Sequence, residues 1–123
     1  MNPLISIIMP AYRSAGTLEG SIRSALAGSI EAIEIIVVNA SPEDGSTEIL
    51  NRIAEKDARV RVIPANESFG VAETRNCGVN AAKGEWIAFL DCDDEWEPDK
   101  LEKQLKAADE TGAALLYTAA ACI

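Results

Sequence analysis

Short, largely apolar runs alternate along this chain with segments of helical period, and that alternation constrains the fold more than any other feature. Residues 4–9, 33–38, 60–63, 86–90 and 113–117 are too short for ordinary helices and read as strands. Between them, Leu18, Ile22, Ala25 and Leu26 mark a first helix, and Ile49, Leu50, Ile53 and Ala54 a second, with Ser46 as its expected cap. Val71, Ala72, Val79 and Ala82 suggest a third helix, and Leu101, Leu105 and Ala108 a fourth. The fourth has Pro98 near its start and Gly112 just past its end, the asymmetry expected of helix termini. Repeated strand, helix, strand predicts an α/β fold, a mainly parallel sheet covered by helices on both faces. Arg61 interrupts the third run and makes it the expected edge strand. The 123 residues carry no linker, low-complexity run or repeat, so residues 1–123 are read as a single domain.

In such sheets ligands bind beyond the carboxyl ends of the strands. The fourth run passes straight into Asp91, Asp93 and Asp94 before the chain restarts as a helix at Pro98. Grouped carboxylates repel, and a hard divalent cation with oxygen ligands at about 2.0–2.6 Å removes the repulsion. The other strand ends are Pro10-Ala11-Tyr12-Arg13, Asn39-Ala40-Ser41 and Pro64-Ala65-Asn66. Neither GxGxxG after the first strand nor GxxxxGK[ST] anywhere is present, so a diphosphate would need a metal and a cation such as Arg75 in place of a glycine cradle.

Charge and missing residue types exclude several functions. A net charge of −9 argues against nucleic acid and anionic membrane as partners, because both need a positive footprint. The absence of histidine removes Ser-His-Asp, Cys-His and most zinc chemistry. Cys77, Cys92 and Cys122 are odd in number and lack CxxC spacing, and read as free thiols of a reducing cytoplasm. The N-terminus lacks the basic start and long apolar stretch of a signal peptide, and apolar residues 113–123 fall short of the ~20 needed to span a bilayer. The expected location is the cytoplasm, either free or peripheral at the inner membrane face.

Three stretches, SIIMPAYRSAGTLEGSIRSAL, EIIVVNASPEDGSTEIL and NESFGVAETRNCGVNAAKGEWIAFLDCDDEWEPDKLEKQL, occur in an order and spacing that resemble the N-terminal half of family 2 of the glycosyltransferases. The resemblance covers roughly residues 4 to 120. It implies a Rossmann-like GT-A fold, truncated here, that binds a nucleotide-diphosphate sugar for transfer of a hexosyl group to an acceptor hydroxyl with inversion, in cell-wall or polysaccharide biosynthesis. By the same resemblance, Pro10, Ala11 and Tyr12 would line the base and ribose pocket, and Arg75, in T-R-N-x-G, would face the phosphates. Asp91 and Asp93 match the DxD motif. Asp93 would coordinate Mg²⁺ or Mn²⁺ on the diphosphate, and Asp91 would contact the ribose or the metal's water shell.

Two departures from the family pattern stand out. Asn39-Ala40-Ser41-Pro42 replaces the usual two aspartates and Gly-Ser, so Asn39 offers a base edge an amide and no carboxylate. Arg13 stands where the family more often has Asn. The chain also ends before the region where inverting members carry the aspartate that deprotonates the acceptor, so the general base is expected beyond Ile123. Two other readings stay open: a non-catalytic, degenerate module of the same family, and a haloacid-dehalogenase-type phosphatase using Asp91-x-Asp93. Residues 113–123, as an apolar final strand, predict self-association into a homo-oligomer.

Overall fold

The computed structural model describes residues 4–12, 15–40, 45–65 and 70–111. Isoleucine and valine dominate the first two strands, where a branched Cβ suits a pleated surface packed on both sides. These are β1 (Ile5–Ala11) and β2 (Ile33–Asn39), joined by α1 (Leu18–Leu26). Then follow α2 (Ser46–Lys56), β3 (Val60–Pro64), α3 (Val71–Ala81), β4 (Trp86–Phe89) and α4 (Lys100–Thr111). The four strands are all parallel, in the order β3-β2-β1-β4, with Ile5 of β1 beside Ile33 of β2 and Trp86 of β4. As expected, β3 lies at an edge of this sheet. The expected fifth strand, the Gly112 stop signal, Arg13, Ser41, Pro42 and Asn66 lie outside the described residues.

Alternate residues of the central strands feed two layers. Ile5, Ile7 and Met9 of β1 and Ile33, Ile35 and Val37 of β2 face α1, α2 and α4 through Leu18, Ile22, Leu50, Ile53 and Leu101. Ile8, Ile36 and Val38 face α3 on the other side. Helices therefore cover both faces of the sheet. No helix among the described residues is long and apolar enough to cross a membrane.

Three local readings change. Ser46 is the first helical residue of α2, not its cap. The capping position is Gly45, whose left-handed φ of 93° a side chain would strain. Of the residues expected to mark the inward face of α3, Val71, Ala72, Val79 and Ala82, Ala82 packs against the smaller core while Ala72 and Val79 do not. Ala72 and Val79 are exposed and Ala82 lies past the last turn, whereas Thr74 and Gly78 are buried. The cause is close approach: a Cβ at Gly78 would overlap Ile8 Cγ2 on the central strand. The run in β4 is buried on only one face. Trp86 and Ala88 join the larger core while Ile87 and Phe89 stay exposed, because α3 packs over β1 and β2.

A buried carboxylate ties the amino ends of the strands together. Glu34 accepts from the Ser6 hydroxyl (2.5 Å), the Lys83 N–H (2.7 Å) and Arg61 Nη1 (3.2 Å), and Ser6 Oγ in turn accepts from the Gly84 N–H (2.8 Å). Burial raises the Glu34 pKa, but the donated hydrogen bonds and the Arg61 charge outweigh it and hold the carboxyl below its ordinary value. The charge that marked β3 as an edge is thus matched from β2.

Proline decides where β1 and β4 part. The Leu90 N–H bonds Ile8 O at 3.0 Å, and Ile8 sits beside Phe89. In a parallel ladder the next rung on that side needs the N–H of residue 10, which Pro10 lacks. Toward β2 pairing continues to Ala11, three residues past Ile8, with the Ala40 N–H on Ala11 O at 2.9 Å.

Candidate functional site

The order β3-β2-β1-β4 means that the chain builds outward from β1 in one direction and then crosses to its other side. The switch lies between the carboxyl ends of β1 and β4, where open sheets of this kind bind ligands. It is also where Pro10 ends the ladder. Tyr12 follows β1 there and is 50% exposed, while Ala11 is buried and Pro10 is partly covered.

On the β4 side, buried Leu90 anchors the strand end and the chain turns through an Asp94 N–H to Asp91 O bond of 3.1 Å. Asp91, Asp93 and Asp94 are exposed, and each offers a carboxylate oxygen within 4.8 Å of the others. Three hard oxygen donors at that spacing fit one Mg²⁺ or Mn²⁺. Cys92, partly buried against the core, offers only a soft sulfur.

The acidic turn is held by α1 and the residues on either side of it, none of which carries a motif. Thr17 Oγ1 donates to Cys92 O at 2.9 Å, the Trp96 N–H donates to Ser24 Oγ at 3.0 Å, and the Ser29 N–H donates to Pro98 O at 2.8 Å. Ser29 Oγ also donates to Glu102 at 2.9 Å. Sequence reasoning missed all three, since an isolated threonine or serine announces no distant partner. It also passed over Lys100, whose ammonium lies 4.3 Å above the Trp96 ring. Burial lowers the Lys100 pKa, and the Asp94 charge acts against that shift.

Arg75 reaches the site from α3. Its Nη2 is 3.7 Å from Asp91 Oδ1, and its guanidinium lies 5.5 Å from the Phe89 ring centre. Asn39, one strand further from β4, is only 2% exposed. Its Nδ2 donates to Ser46 Oγ at 3.0 Å and meets Thr47 Oγ1 at 3.4 Å, so its amide secures the start of α2. Asp91, Asp93 and Arg75 therefore converge, Pro10 to Tyr12 stand on the neighbouring strand end, and Asn39 lies beneath.

Comparison with known proteins identifies the family and the fold. The chain is 38% identical over 116 residues to TuaG of Bacillus subtilis, named as a putative teichuronic acid biosynthesis glycosyltransferase; the match covers 94% of this chain and 46% of TuaG. It is 41% identical over 102 residues to WfaP of Escherichia coli, named as a UDP-Glc:alpha-D-GlcNAc-diphosphoundecaprenol beta-1,3-glucosyltransferase, covering 83% of this chain and 40% of WfaP. The chain thus spans less than half the length of these relatives. Among solved structures, S. aureus TarS in complex with UDP-GlcNAc superposes with a TM-score of 0.80 at 24% identity, over 89% of this chain and 32% of that one. The Pyrobaculum calidifontis mannosyltransferase PcManGT, in complex with GDP-Man and Mn²⁺, gives 0.80 at 24% over 88% and 33%. The fold is the GT-A arrangement of these neighbours. With the model "Glycosyl transferase family 2" matching residues 6–121, the chain belongs to the family 2 glycosyltransferases.

Proposed function

We propose that this chain is the donor-binding portion of an inverting glycosyltransferase, which holds a nucleotide-diphosphate sugar for transfer of a hexosyl group to an acceptor hydroxyl. The observation that carries the reading is the meeting of Asp91, Asp93 and Arg75 at the strand end beside Tyr12, on the two sides of the switch point. Pro10, Ala11 and Tyr12 line the base and ribose, Asp91 and Asp93 hold Mg²⁺ or Mn²⁺, with Asp91 also reaching the ribose, and Arg75 faces the phosphates. Asn39 acts on the nucleotide from below, by fixing α2 and the strand end it follows. When bound, a divalent cation offsets the negative charge that grows on the departing diphosphate. Arg75 supplies a second, fixed positive charge there, and the exposed face of Tyr12 gives the base an aromatic surface. Family membership sets the phosphatase alternative aside.

Names of relatives support a role in cell-wall or polysaccharide biosynthesis; a cytoplasmic location, either free or at the inner membrane face, belongs to the same proposal. Homo-oligomerisation through residues 113–123 belongs to the same reading, and ultracentrifugation giving only monomer at high concentration would remove it.

Calorimetry with UDP, GDP and dTDP tests the central claim. At least one should bind in Mn²⁺ and lose binding in EDTA, and Asp93→Ala should weaken binding by at least about tenfold. A folded protein that binds none of them in Mn²⁺ overturns the reading. An Asp93→Ala protein that binds as well as wild type favours the degenerate, non-catalytic module.

A further inference from the structure

The contact between Arg75 and Asp91 is of an unusual kind for a structural ion pair. At 3.7 Å it lies beyond the roughly 2.7–3.2 Å of an N–H···O hydrogen bond, so it is Coulombic only. Among the described residues no side-chain hydrogen bond holds the guanidinium, and its Nε is buried with no partner. What positions it is the exposed ring of Phe89, the last residue of β4 and two residues before Asp91. A cation is thus placed beside three carboxylates without being committed to any of them.

A divalent ion and Arg75 cannot both make full use of Asp91. Each is positive, and each gains from the same oxygens, so the guanidinium repels an arriving metal while the metal displaces the guanidinium. Once displaced, Arg75 keeps its stacking on Phe89 and still has its donors to offer. The nearest use for them in this site is an anion bridging to the metal.

We infer that Arg75 is a reserve counter-ion: with no divalent cation it rests on Asp91 and offsets the acidic turn, and when a cation takes Asp91 it is released toward the diphosphate, so that metal and diphosphate bind with positive coupling. The inference rests on the metal and diphosphate reading above and adds the order of dependence between the two. By linkage, whatever factor the metal adds to diphosphate affinity, the diphosphate adds to metal affinity.

The test is Mn²⁺ binding to the nucleotide-free chain, measured by calorimetry for wild type, Arg75→Gln and Arg75→Lys, each checked for folding by circular dichroism. Removing the competing charge should make Arg75→Gln bind Mn²⁺ about 2–5-fold more tightly than wild type, the size expected of a partly exposed charge pair. Arg75→Lys keeps the charge and should return toward the wild-type value. A purely structural arginine predicts unchanged or weaker Mn²⁺ binding in Arg75→Gln, and that result overturns the inference. So does Arg75→Lys behaving as Arg75→Gln does, because charge is then not the cause. Wild type failing to bind Mn²⁺ both without nucleotide and with UDP, GDP or dTDP present overturns both this inference and the reading beneath it. Wild type binding Mn²⁺ with Arg75→Gln unchanged removes this inference alone.

Discussion

Glu34 shows how much one side chain can carry at a distance from the site. It is a buried carboxylate with donors from three segments, and hydrogen bonds to a charged group are worth about 1.5–3 kcal/mol each before the charge's own desolvation is subtracted. Glu34→Gln keeps the shape and removes the charge, and should cost about 1–3 kcal/mol in urea unfolding at pH 7. The folded carboxyl titrates below its ordinary value of 4.5, so the unfolded chain takes up the proton first. Stability from Glu34 is therefore whole above that value and drains as pH falls through the folded pKa. Unfolding followed from pH 7 down to pH 3 should show a steeper acid loss in wild type than in Glu34→Gln. Little of this was legible in the sequence, where Glu34 stands inside an apolar run and its partners Ser6, Arg61 and Lys83 are far along the chain. The same holds for Arg75 and Asp91. Their residue types suggested phosphate and metal chemistry, but only the fold makes them neighbours. Asn39 could be read as a group at a strand end, yet nothing in its own neighbourhood said that its amide would turn toward Ser46.

Among the elements, α3 departs furthest from its sequence pattern. Apolar periodicity finds a helix because large side chains normally face the core. Here the sheet approaches so closely that small and polar residues do the packing, with Gly78 against Ile8 and Val38 and buried Thr74 donating to Gly70 O at 2.9 Å. Gly78→Ala tests that closeness. Alanine favours a helix over glycine by about 1 kcal/mol, whereas forcing a methyl group into a packed contact costs typically 1–3 kcal/mol. The overlap is with a residue on the central strand, which cannot swing away, so net destabilisation of about 1–2 kcal/mol is expected by thermal or urea unfolding. The strands were far more legible. Runs of isoleucine and valine between turn residues identify β1 and β2 directly, and the acidic turn after β4 announces itself by charge alone. The threonine and serines that hold that turn do not, because their hydroxyls act across 72 to 75 positions of sequence.

The arrangement of the four strands is what turns separate features into a site. Alternating strands and helices imply a parallel sheet, but they do not say at which point the chain crosses back over β1, and the ligand crevice depends on that crossing. If the crevice binds as proposed, ligand should stabilise the folded state through the whole cooperative unit. At a hundredfold excess over its dissociation constant, a ligand adds about 2.7 kcal/mol, which for a domain of this size is a rise in Tm on the order of 10 °C. Scanning calorimetry with Mn²⁺ and the diphosphate that binds should show it, and Mn²⁺ without nucleotide should give less. The parting of β1 and β4, by contrast, owes nothing to a ligand. It begins at a rung that Pro10 cannot form, and a missing N–H is a covalent fact that neither folding nor binding can repair. A gap of that origin is present before any donor arrives, so no strand pairing has to be broken to admit one. Association at this point of the sheet should carry little reorganisation cost, and its temperature dependence should reflect desolvation and charge more than any opening of the backbone.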